Sequence, residues 1–135
     1  MTRKPRLIDW MLCDDVRVEA SGKTSIIGIY GSDVIVPITP IILPQLCVIT
    51  KWDISSGVFR EIIFRLELPD GKLLGPVTAK APQQIKGQRL TMHFNLIPFQ
   101  IQILGTYKVF LKIDDEPDRK VGEFEIKLAP HKDLS

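Results

Sequence analysis

A chain of 135 residues, 44% hydrophobic and 25% charged, has the size of one domain with one core and is too apolar for a disordered segment. Its formal net charge is +2, from 18 basic and 16 acidic residues spread along the chain, so no global field draws it to nucleic acid or to an anionic membrane. The expectation is a single domain over residues 1–135, with 1–5 and 130–135 as flexible tails.

At the N-terminus, Arg3, Lys4 and Arg6 form the one basic cluster, without interleaved aromatic rings, and read as a solvated tail. Asp9, Asp14 and Asp15 interrupt residues 1–15 before a secretory apolar region can form, so a cytoplasmic location is expected. Trp10, Leu12, Asp14, Val16 and Val18 share one parity, and a continuous strand would turn Asp14 inward. An unpaired buried carboxylate is costly. Asp14 is therefore expected to be structural, either at a break or bulge or accepting backbone hydrogen bonds where the chain crosses between sheets.

Ser21-Gly22 reads as a turn between strands at 16–19 and 25–30. The apolar run 34–46 is cut by Pro37, Pro40 and Pro44 and is too short for the roughly 20 residues of a spanning helix. Residues 59–68 alternate, with Ile62, Phe64, Leu66 and Leu68 on one face and Glu61, Arg65 and Glu67 on the other, as in a half-buried antiparallel strand. Pro69-Asp70-Gly71-Lys72 then forces a turn. A short helix around 82–89, interrupted by Gly87, is the one helical candidate.

Leu90, Met92, Phe94 and Leu96 alternate with Thr91, His93 and Asn95. Residues 96–104 carry more apolar side chains than one buried face needs, and Ile97, Phe99, Ile101 and Ile103, of one parity, are a candidate interface beside the simpler reading of core burial. Tyr107, Val109, Leu111 and Ile113, then Phe124, Ile126 and Leu128, form two strands of a hairpin joined across 114–120. The fold expected is an all-β, immunoglobulin-like antiparallel sandwich of roughly seven to nine strands, with little or no helix. The immunoglobulin-like choice rests on Leu104-Gly105-Thr106-Tyr107, which resembles a tyrosine corner, although Val109 stands where antibody domains place their second cysteine.

Met11-Leu12-Cys13-Asp14-Asp15-Val16-Arg17-Val18, followed by Gly22-Lys23 and Ile27-Gly28-Ile29-Tyr30, resembles a family of small uncharacterised bacterial proteins, a domain of unknown function. The resemblance covers most of the chain. It implies an immunoglobulin-like sandwich and transfers no active site.

No constellation assigns chemistry, and no cofactor is implied. Gly22-Lys23-Thr24 lacks the earlier glycine and the following helix of a phosphate loop. His93 and His131 have no neighbouring ligands for zinc or a charge relay. Cys13 and Cys47 lie in apolar stretches and read as buried free thiols, a disulfide between two sheets being the structural alternative. Asp114, Asp115 and Asp118, with Glu116, are a candidate calcium loop without the ordered acidic spacing of a dedicated one. The leading expectation is a non-enzymatic module that binds itself or another protein through sheet edges. The alternative is a calcium-binding or carbohydrate-binding sandwich, with Trp10 or Trp52 as a stacking ring.

Overall fold

The computed structural model describes residues 5–21, 23–31, 33–55, 57–81 and 89–130. The turn at Gly22, residues 82–88 of the short helix expected around 82–89, the basic residues Arg3 and Lys4, and His131 lie outside these residues, and Arg89 begins a strand. Eleven strands form three sheets, and no helix occurs among the described residues. They are β1 (Arg6–Val18), β2 (Thr24–Ile29), β3 (Asp33–Val36), β4 (Ile41–Leu43), β5 (Leu46–Asp53), β6 (Glu61–Glu67), β7 (Leu73–Lys80), β8 (Arg89–Leu96), β9 (Phe99–Ile101), β10 (Gly105–Ile113) and β11 (Arg119–Leu128).

The count exceeds the seven to nine expected because prolines divide apolar stretches that periodicity alone leaves whole. A proline has no N–H to give to a ladder. The run 34–46 accordingly becomes β3, β4 and the first residue of β5, with Pro37, Pro40 and Pro44 between them. The same thing happens at Pro98, which separates β8 from β9. The register survives both interruptions, since Leu46 faces Leu96 in β5 and β8, and Leu43 faces Phe99 in β4 and β9.

One large sheet has the order β2-β1-β5-β8 and the other β3-β11-β10-β6-β7. Every pairing is antiparallel except β3 with β11, where Asp33 to Val36 run parallel to Glu125 to Leu128. A wholly antiparallel expectation is corrected there. The interior cluster takes Leu12, Leu46, Val48, Trp52, Met92 and Phe94 from the first sheet, and Ile62, Phe64, Leu66, Tyr107, Val109, Leu111, Phe124 and Ile126 from the second. Phe64 and Phe94 stack across the interior at 5.3 Å between centroids. Apolar burial on this scale is the main force holding the two layers together.

Alternation read from the sequence is visible in β6, where Ile62, Phe64 and Leu66 are buried and the residues between them only half-buried. In β10, Tyr107, Val109, Leu111 and Ile113 are all buried in the same manner. The turn after β6 closes through Gly71 N–H to the Leu68 carbonyl at 2.9 Å and Lys72 N–H to the Asp70 carboxylate at 3.0 Å. β5 is different. Leu46 through Thr50 are buried without alternation, because Leu46 and Val48 face the interior while Cys47 and Ile49 are covered on the outward face.

Candidate functional site

The outward face of the first sheet is built in rows. Ile29, Cys13, Cys47 and Asn95 stand opposite one another across β2, β1, β5 and β8, and Met11, Ile49 and His93 form the next row. Cys13, Cys47 and Ile49 are buried within it, while Ile27 and Ile29 on the edge strand are 42% and 61% exposed. A disulfide between sheets is thereby corrected: the two cysteines lie on neighbouring strands of one sheet, and both are free. His93 sits in this surface, half-buried.

β2 is an edge strand of six residues, Thr-Ser-Ile-Ile-Gly-Ile, with no charge and no proline. One side pairs with β1, and among the described residues no strand pairs with the backbone donors and acceptors of the other side. The opposite sheet's edge strand β7 is blunted, because it carries Pro76 and ends in Lys80.

Asp14 does not point into the core. β1 continues through it, with its one register shift earlier, between Leu7 and Asp9, and the carboxylate lies at the exposed rim. There it accepts a 2.5 Å hydrogen bond from the Tyr30 hydroxyl, a side-chain partner rather than the backbone donors expected. Gly28, at φ +69°, lies where a Cβ would overlap the Asp14 carboxylate. Burial first, then the Asp14 carboxylate, pushes the Tyr30 phenol up to about 12.

The Tyr107 hydroxyl donates to the Ile103 carbonyl at 2.6 Å, four residues upstream. Gly105, at φ +134°, sits 3.2 Å from Pro69 by the position a Cβ would take, so both backbone and space demand glycine. Of the four candidate interface residues, Phe99 and Ile101 are buried in the core, Ile103 is half-buried and Ile97 is exposed. They do not make one surface, because the bend at 97–98 breaks the parity on which the grouping rested.

The acidic turn is held by arginines. Asp114 Oδ1 accepts the backbone N–H groups of Arg60 and Glu61 at 2.9 and 3.0 Å, Asp115 meets the Arg60 guanidinium at 3.2 Å, and Asp118 takes Arg65 at 2.8 and 3.1 Å. Asp114 and Asp115 thus turn to Arg60 and Asp118 to Arg65, instead of all three to a common centre. No group of three or more metal-ligating side chains occurs among the described residues.

Trp52 is fully buried, its Nε1–H donating to Thr50 at 2.8 Å, so it offers no ring for a sugar. Trp10 lines a cleft of about 310 Å³ between the sheets, with Tyr30 and Glu123 among its walls. An apolar groove of about 450 Å³ lies over the β4 and β9 ribbon, between Ile42 and Gln102. Among the described residues no helix is long and apolar enough to cross a membrane.

Fold and surfaces together define a small all-β protein of two packed sheets whose distinctive features are a bare edge, a buried cysteine pair and shallow clefts. The chain belongs to DUF6941, a family of unknown function, whose sequence model matches residues 8–126. No curated protein matches the chain.

Proposed function

We propose that this chain is a non-enzymatic, immunoglobulin-like interaction module, of bacterial origin and cytoplasmic, that associates with a second copy of itself through β2. The observation that carries the reading is an uncharged edge strand with Ile27 and Ile29 exposed beside it. Antiparallel addition of β2 from a second copy would satisfy the free backbone groups of both strands and make one eight-stranded sheet from two sheets of four. No like charges would meet along that strand, a condition that β7, with Lys80, and β8, with Arg89, do not satisfy. The immunoglobulin-like description is supported by β1-β5-β8 facing β11-β10-β6, and by the tyrosine at the start of β10.

Light scattering over a range of concentrations tests the proposal. A dimer is expected for the native chain and a monomer for Ile27→Lys, which places a charge beside the pairing edge. A native chain that stays monomeric at every concentration, or an Ile27→Lys dimer as tight as the native one, refutes it.

A small-ligand reading is favoured only by the Trp10 and Tyr30 cleft, where two aromatic side chains and the Glu123 carboxylate line one opening. Sugars that bind there would change Trp10 fluorescence. Trp52, sealed in the core, would report nothing.

A further inference from the structure

The cysteine pair is independent of the edge strand's role. Cys13 and Cys47 are the chain's two cysteines, and they are direct cross-strand partners in β1 and β5. Directly opposed residues of antiparallel strands hold their Cα atoms about 4.5–5.5 Å apart, within the span a disulfide tolerates. Neither thiol belongs to the interior cluster, and both lie under the outward face.

The side chains bonded to Cys47 are polar. Gln45 Nε2 donates to Cys47 Sγ at 2.9 Å and also to Asp15 at 3.0 Å, while the Cys47 thiol donates to Asn95 Oδ1 at 2.9 Å. Asn95 is exposed, and Gln45 and Asp15 are half-exposed, so rotation of these side chains opens a path to Cys47 without unfolding a strand.

We infer that Cys13 and Cys47 form a thiol–disulfide exchange site that takes low-molecular-weight disulfides as its oxidants. Cys47, as thiolate, attacks one sulfur of a small disulfide RSSR, forming a mixed disulfide and releasing one thiol RSH once the sulfur leaving group is protonated. Cys13 then loses its proton to solvent and displaces the second RSH, closing the Cys13–Cys47 bond. Two protein thiols lose two electrons and one RSSR becomes two RSH. Burial first, and then the neighbouring Cys47 sulfur, pushes the Cys13 thiol up to about 11, which suits it to the second, intramolecular step. The bond would staple β1 to β5 at the centre of the first sheet.

The test uses the native chain and 2-hydroxyethyl disulfide, followed by acid quenching, unfolding, alkylation and mass measurement. The expected product has lost both titratable thiols and two hydrogens, keeps no adduct, and joins the Cys13 and Cys47 peptides. Two alkylated cysteines, a retained adduct, or a covalent dimer on a non-reducing gel would each overturn the inference. Cys13→Ser is expected to trap the adduct at Cys47. Cys47→Ser, which leaves Cys13 buried under the sheet face, is expected to exchange with the small disulfide more slowly than Cys13→Ser does through Cys47. Exchange at Cys13 as fast as at Cys47, in variants whose circular dichroism matches the native chain, would overturn the order of attack and with it the site.

Discussion

Thr50 is the one polar residue buried among the described core positions, and replacing it by valine tests whether its hydroxyl is a structural joint. The hydroxyl donates to the Met92 carbonyl on β8 at 3.0 Å and accepts Trp52 Nε1–H at 2.8 Å. Valine keeps the volume and removes both bonds. A buried indole N–H without a partner costs about 1–3 kcal/mol, and the lost bond to the carbonyl about 1 kcal/mol more, so Thr50→Val should destabilise by about 2–3 kcal/mol after the gain from a buried methyl. That is a large share of the ~5–15 kcal/mol that holds a domain folded. Thr50→Ser keeps the hydroxyl and loses a methyl, at about 1 kcal/mol. Urea unfolding of the three proteins, with equal denaturant slopes, measures both differences. A valine variant as stable as the native chain, or a serine variant less stable than the valine one, would refute the reasoning.

Gly122→Ala places a Cβ against the Trp10 indole, 2.6 Å from Cε2 and 2.7 Å from Nε1, so it should cost about 1–3 kcal/mol. Combining it with Trp10→Leu should recover part of that loss; strictly additive denaturation midpoints would contradict the contact. Both tyrosines, Tyr30 and Tyr107, have phenols raised by burial above the ordinary 10.0. The raised folded values mean their contribution is complete below pH 10 and is lost as pH climbs through them, toward 12 for Tyr30, so stability should fall above pH 10 and phenolate absorbance should stay low at pH 10. A folded chain with half its phenolate signal at pH 10 would contradict this. Millimolar calcium should leave the melting temperature unchanged, because Asp114 and Asp118 are occupied by Arg60, Glu61 and Arg65; a rise in Tm would show that those partners yield to the cation.

Strands with one wet face were legible in the sequence, because the chain itself alternates: Ile62, Phe64 and Leu66 in β6, and Tyr107 through Ile113 in β10. β7 was not, since Leu73 to Lys80 form an edge with Gly75 and Pro76 and show no clean period. The stretch 34–46 and β9 were obscured for another reason. Prolines redirect the chain there, and parity counted across a bend loses its meaning, which is why Phe99 and Ile101 belong to the core while Ile97 faces water. The exposed Asp14 shows a related limit, a side chain on the inward parity that still meets solvent. Long-range register was invisible altogether. Nothing local to Cys13 announces Cys47 as its partner, and the bare edge of β2 exists only because no later strand among the described residues joins it.

The parallel pairing of β3 with β11 joins distant parts of the chain, and the ion pair of Lys127 with Asp33 beside it spans 94 positions. Among the described strands Asp33 to Val36 have no neighbour but β11, so this sheet can be completed only after the chain through β11 has been made. The C-terminal strand thus acts as the closing stave of the fold, and a truncation that removed it would strip β10 and β3 of a partner at one stroke.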